Sequence, residues 1–108
     1  MKLAAIDIGS NAARLLISEV TTDANGIAKF NKIDLIRVPL RLGFDVFDKG
    51  EISENKIQMI LQTMKAYQHL LNVYQVKYVK ACATSAMRDA KNGEEIIEKV
   101  KKRFNPPS

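Results

Sequence analysis

Tryptophan is absent from this sequence of 108 residues, cysteine occurs once, and no apolar run approaches the roughly 20 residues that span a bilayer. A lone Cys82 excludes an internal disulfide, and its neighbours do not have the spacing of zinc ligands. We therefore expect Cys82 to be a small buried residue at the end of a strand. The start of the chain does not have the pattern of a signal peptide, which predicts a cytoplasmic protein without a membrane partner.

Acidic side chains are in the minority, with 12 Asp and Glu against 17 Lys and Arg and a net charge of +5. This excess favours anionic partners such as phosphate polymers or nucleic acids. Much of it lies in Lys99, Lys101, Lys102 and Arg103, where cations suit the C-terminal end of a helix. A nucleic-acid-binding module is therefore a hypothesis that depends on charge alone, and we do not expect nucleic acid to be a partner.

The proportions of apolar and charged residues, 46% and 27%, are those of a folded globular chain. We expect one compact domain over residues 1–108. Alternation and β-branched residues predict four strands, over residues 2–8, 13–20, 27–39 and 77–82. Helical periodicity predicts a helix capped by Ser53 and a second helix from Gly93 to Arg103. Residues 41–52 have no clear period and are expected to form an irregular connection that could include a short turn.

The order of these elements predicts an α/β fold with a mixed sheet of strand order 3-2-1-4. The first three strands can form an antiparallel meander, and the helix after Ser53 allows the fourth strand to return parallel to the first through a right-handed crossover. The carboxyl ends of strands 1 and 4 then flank a crevice of the kind that binds ligands in α/β sheets.

The first candidate site follows strand 1, where an apolar run leads into a carboxylate, a glycine and two small polar residues. Gly9 can adopt a positive φ, so the N–H groups of Gly9, Ser10 and Asn11 could converge on a phosphate oxygen. Asp7 lies where it can hold a hydrated divalent cation. A plain turn after the strand is the structural alternative.

The second candidate site follows strand 4 and is expected to face the first. Arg88 supplies a planar fork suited to phosphate oxygens, and Ser85, next to Thr84, could cap a short helical turn whose N–H groups also point at the anion. A helix cap without any ligand is the alternative here.

Both stretches resemble the N-terminal part of the exopolyphosphatase and guanosine pentaphosphate phosphatase (Ppx/GppA) family. The similarity lies in residues 4–16, which include Asp7-Ile8-Gly9-Ser10-Asn11, and in residues 83–93, which begin Ala-Thr-Ser-Ala-Met-Arg. The connections at residues 41–43 and 50–53 also resemble the family, so the resemblance extends over essentially the whole chain. It implies an actin-like, RNase H-like fold. It also implies a Mg²⁺-dependent hydrolase that removes terminal phosphate from polyphosphate or from guanosine pentaphosphate.

The resemblance also implies roles for single residues. It places Asp7 near the metal and makes residues 9–11 the first phosphate loop. It makes a further set of residues line the phosphate channel: Arg88 and, with weaker matches, Arg14, Thr84, Ser85 and Asn92. An actin-like nucleotide sensor or kinase domain would contain the same first loop and stays open as an alternative.

Members of the family are much longer than this chain. The glutamate that activates the attacking water, the second phosphate loop and the fifth strand are therefore expected beyond Ser108. We expect an N-terminal segment, truncated before the fifth strand, that binds phosphate with little turnover, because in-line transfer needs groups on several sides. Its expected partners are the substrate and the C-terminal remainder of the same protein. The edge of strand 4 also invites self-association.

Overall fold

The computed structural model describes residues 1–83 and 85–103, with all of their side chains except those of Phe44, Asp45, Phe47, Ser85, Ala86 and Arg103. In chain order the elements within these ranges are β1 (Lys2–Ile8), β2 (Ala12–Thr22), β3 (Ala28–Pro39), α1 (Leu42–Lys49), α2 (Glu54–Val73), β4 (Tyr78–Ala83), α3 (Ser85–Asp89) and α4 (Gly93–Arg103). None of the described helices has the length and hydrophobicity needed to cross a membrane.

The four strands form a mixed sheet of order β3-β2-β1-β4, as the sequence predicts. β1 pairs antiparallel with β2 and parallel with β4, so α2 lies in the crossover between two parallel strands. The β2–β3 ladder contains one irregularity, because Ile17 pairs with Asp34 whereas Ser18 pairs with Lys32. Ile33 is the extra residue of this bulge, which increases the local twist of the hairpin.

The core lies on one face of the sheet. Alternate residues of β1 and β2 are buried there, and α2 covers them with the apolar face that its periodicity predicts: Ile57, Ile60, Leu61, Met64, Tyr67 and Leu71. Ser53 caps α2 as expected, since its side chain accepts a hydrogen bond from the Lys56 N–H at 3.4 Å. The buried Tyr67 donates its hydroxyl to the Ile36 carbonyl at 3.2 Å, and burial raises the pKa of Tyr67 to about 12.

A helix replaces much of the irregular connection expected between residues 41 and 52. Leu42, the first residue of α1, is fully buried, and Gly50 ends the helix in the left-handed conformation, with φ of 74° and its N–H on the Val46 carbonyl. The prediction was wrong because a helix of two turns that contains Gly43 has too short a pattern to identify, and tertiary contacts stabilise it instead.

The expectation that Cys82 is buried is also wrong, since its side chain is exposed. Cys82 pairs in register with Asp7, whereas its neighbours Ala81 and Ala83 pair with the buried Ile6 and Ile8. The strand residues of the core all lie on one face of the sheet. Alternation therefore places Cys82 on the opposite face.

Candidate functional site

The turn between β1 and β2 is closed by the Gly9 N–H, which donates to the Ala12 carbonyl at 2.9 Å. The Ser10 carbonyl accepts from the Gly43 N–H at 3.0 Å, and the Asn11 carbonyl accepts from both Leu40 and Arg41, at 2.8 and 2.9 Å. In the part of the chain that the structure describes, nothing accepts the N–H of Ser10 or of Asn11. The segment around the start of α1 thus fixes the carbonyls of the turn and leaves two N–H donors for a ligand.

Gly9 does not adopt the positive φ that the sequence allows it. Ile8 and Ala13 form the last pair of the β1–β2 ladder, and the chain reverses its direction over the residues between them. Gly9 therefore does not need a left-handed backbone. The left-handed residue near the turn is Arg41, with φ of 56°, immediately before α1. This non-glycine residue positions its N–H on the Asn11 carbonyl, and no local sequence pattern indicates that role.

Asp7 is half-buried near the carboxyl end of β1, and its carboxylate has no hydrogen bond or ion pair to any described residue. Its lateral neighbours in the sheet are Arg14 on β2 and Cys82 on β4. The described residues contain no group of three or more His, Cys, Asp or Glu side chains that could hold a metal ion. A cation bound here would have Asp7 as a protein ligand, and water and phosphate oxygens would supply further ligands, as is common for Mg²⁺.

The second candidate stretch leaves the sheet beside this turn. Ile8 pairs with Ala83, so β1 and β4 end side by side and α3 begins at the same edge. Met87 anchors α3 in the core, and the next residue, Arg88, is exposed. Thr84 and the side chain of Ser85 lie outside the described residues, so their predicted phosphate contacts stay predictions.

Asn92 lies between α3 and α4, and its side-chain amide is already occupied. Its Oδ1 accepts from the Ile52 N–H at 3.0 Å, and its Nδ2 donates to the Ile52 carbonyl at 2.8 Å. Beside it, the Lys91 N–H donates to the Gly50 carbonyl at 2.9 Å. These three hydrogen bonds connect the residues after α3 to the segment before α2. They therefore position α3, which carries Arg88. A phosphate contact by Asn92 itself stays a prediction.

The sequence profile of the Ppx/GppA phosphatase family matches residues 19–107. This range includes Arg88 and Asn92 and begins after the turn that follows β1. A bifunctional 3-dehydroquinate synthase/phosphatase of Fusobacterium nucleatum is 36% identical over 99 residues, which are 90% of this chain and 15% of that protein. Exopolyphosphatase 2 of Mycobacterium tuberculosis is 34% identical over 93 residues, which are 84% of this chain and 28% of that protein.

Comparison with solved structures also finds members of the Ppx/GppA family. The crystal structure of the Aquifex aeolicus member of the Ppx/GppA family superimposes with a TM-score of 0.86 at 38% identity, over 96% of this chain and 32% of that one. This chain thus spans about a third, or less, of the length of the relatives it matches. The actin-like fold that the resemblance implies is confirmed. From its profile, its relatives and its fold, the chain belongs to the Ppx/GppA phosphatase family.

Proposed function

We propose that this chain is the phosphate-binding part of a hydrolase that removes terminal phosphate from inorganic polyphosphate or guanosine pentaphosphate by metal-assisted attack of water. One observation carries the proposal. At the end of β1, two backbone donors and a carboxylate lie close together in sequence without partners among the described residues, namely the Ser10 and Asn11 N–H groups and Asp7. Unpaired donors beside an unpaired carboxylate fit an anion that arrives with a divalent cation.

Each group has a distinct task in this proposal. The two N–H groups bind oxygens of the terminal phosphate, and the exposed Arg14 and Arg88 neutralise its charge from the sides. Asp7 holds the cation, which when bound supplies further positive charge at the phosphate oxygens. We propose that the water-activating base and the second phosphate loop belong to the remainder of a longer protein, and that the cytoplasm is its location.

Replacing Asp7 by Asn tests the proposal on the 108-residue chain. We expect isothermal titration calorimetry to show Mg²⁺-dependent binding of polyphosphate by the unchanged chain. In Asp7→Asn this binding weakens by about tenfold or more, because the amide is a poor ligand for Mg²⁺. Asp48→Asn, an exposed site on α1 with the same change in charge, is the control and keeps the affinity.

Besides failure of the unchanged chain to bind polyphosphate with Mg²⁺, two results would contradict the proposal. One is equal Mg²⁺ dependence in the Asp7→Asn and Asp48→Asn variants. The other is phosphate release from polyphosphate at rates typical of an efficient enzyme by the 108 residues alone, since half of the required groups should supply little of the rate.

An actin-like nucleotide sensor or kinase domain is the second candidate, favoured by the fold itself. Competition distinguishes the two. If ATP displaces polyphosphate and guanosine pentaphosphate from the chain at lower concentration than either displaces ATP, the nucleotide-binding function is the better description.

A further inference from the structure

Three charged residues form a row across three adjacent strands of the sheet, β1, β2 and β3. Asp7 on β1 lies opposite Arg14 on β2, and Arg14 lies opposite Arg37 on β3. The residues that flank each of them in the ladders contribute to the core or pack against it: Ile6, Ile8, Ala13, Leu15, Ile36 and Val38. Because side chains alternate along a strand, the three charged residues lie on the face of the sheet opposite the core. We call this the open face.

The arginine pair is electrostatically unfavourable as it stands. Like charges directly opposite each other destabilise an antiparallel pair of strands. Across the described ranges neither Arg14 nor Arg37 forms a hydrogen bond or an ion pair, and both are exposed. The open face therefore presents two guanidinium groups in fixed register without an ion pair to any described residue, and an extended anion would compensate their charge.

The length of the row indicates the kind of anion. Adjacent strands are about 4.8 Å apart, so the backbones at Asp7 and Arg37 are separated by about 10 Å across β2. A single phosphate group at the Asp7 end is too small to occupy the whole row, whereas a linear phosphate polymer can follow it. We propose, as an inference that rests on the proposed function, that Arg37 is a substrate-binding residue. It lies beyond Arg14 in the row and holds the distal phosphates of inorganic polyphosphate on the open face of the sheet.

Replacing Arg37 by Ala tests this role by comparing anions of two lengths. In the presence of Mg²⁺, we expect Arg37→Ala to weaken the binding of long-chain polyphosphate by about tenfold, as the loss of one charge-assisted contact predicts. Binding of pyrophosphate, which is too short to reach Arg37 from Asp7, stays within about twofold. Lys29→Ala removes the same charge from an exposed position of the same strand and is expected to change neither affinity.

Thermal unfolding without any anion provides the second readout. We expect the melting temperature of Arg37→Ala to equal or exceed that of the unchanged chain, because a like-charge contact is relieved. If the alanine variant is less stable, Arg37→Gln keeps most of the side-chain length without the charge, and its binding is measured instead.

The outcomes separate this inference from the function on which it rests. Unchanged polyphosphate binding after loss of Arg37, or an equal loss in Lys29→Ala, would overturn the role of Arg37 and leave the proposed function intact. Failure of the unchanged chain to bind polyphosphate with Mg²⁺ would overturn both.

Discussion

At the scale of single residues, the position of the candidate site depends on side chains that do not themselves face a ligand. Asn92 is the clearest case, because its amide forms two hydrogen bonds with the backbone of Ile52, 40 residues earlier in the chain. No sequence pattern predicts such a pairing, since it depends on how α3 and α4 pack against the connection before α2. The sequence instead predicts Asn92 as a phosphate-lining residue, on the resemblance alone.

The Asn92 amide provides a stability prediction. We expect Asn92→Ala to lower the free energy of unfolding by about 2 kcal/mol, because the Ile52 N–H and carbonyl lose their partners. Asn92→Asp keeps an acceptor for the N–H but opposes a carboxylate to the carbonyl, so it should also destabilise. Urea denaturation measures both, with Asn31→Ala at an exposed position of β3 as control. A change below about 0.5 kcal/mol in Asn92→Ala, the range of ordinary surface substitutions, would contradict the prediction.

Tyr67 predicts how stability depends on alkaline pH. Burial raises the pKa of Tyr67 from 10.0 to about 12, so the folded state binds the phenolic proton more tightly than the unfolded state. The stabilisation of the folded state that comes from this difference in pKa is complete below pH 10. It is lost as the pH rises from 10 to about 12. We expect the free energy of unfolding to fall more steeply over this range in the unchanged chain than in Tyr67→Phe. Parallel curves for the two proteins would contradict it.

At the scale of elements, the sequence predicts the four strands and the helices α2 and α4, whereas it does not predict α1. The twenty residues of α2 and the alternation of β1 to β3 carry enough periodicity to give their type and position. By contrast, α1 has eight residues, and its place depends on backbone bonds to the turn after β1. The row of Asp7, Arg14 and Arg37 also depends on tertiary structure that the sequence does not show. It becomes visible only once the β2–β3 register is known, and alternation alone does not fix that register.

The junction of α3 and α4 provides a prediction at this scale. A Cβ on Gly93 would overlap the Met87 carbonyl, so only glycine fits where α4 begins. We expect Gly93→Ala to cost about 2 kcal/mol of stability, as overpacking does, and to displace α3 with Arg88. Gly43→Ala in α1 is the matched control, because its Cβ would lie at an ordinary 3.7 Å from the Ser10 Cβ. Equal thermal stability of the two variants would show that the close contact at Gly93 has no consequence.

At the scale of the whole molecule, the described chain is elongated, with extents of 54 × 22 × 19 Å, and it has an open sheet edge. β4 pairs only with β1 within the described residues, so its other side offers free N–H and carbonyl groups. An apolar groove of about 130 Å³ runs beside it, lined by Ile8, Met64, Ala81, Cys82, Ala83, Met87, Ile97, Val100 and Lys101. An open edge beside an apolar groove favours pairing with another chain.

Self-association through this edge is therefore expected for the 108-residue chain, with β4 of a second copy as the partner. Sedimentation velocity should show a sedimentation coefficient that rises with concentration. Ala81 is exposed and lies in the groove, so Ala81→Lys places a charge at the contact and should return the chain to a monomer. Ala5→Lys puts the same side chain on the exposed face of β1, away from the edge, and should leave the association unchanged. A monomer at every concentration would contradict the prediction, and equal dissociation by both variants would show that net charge, not the edge of β4, controls the assembly.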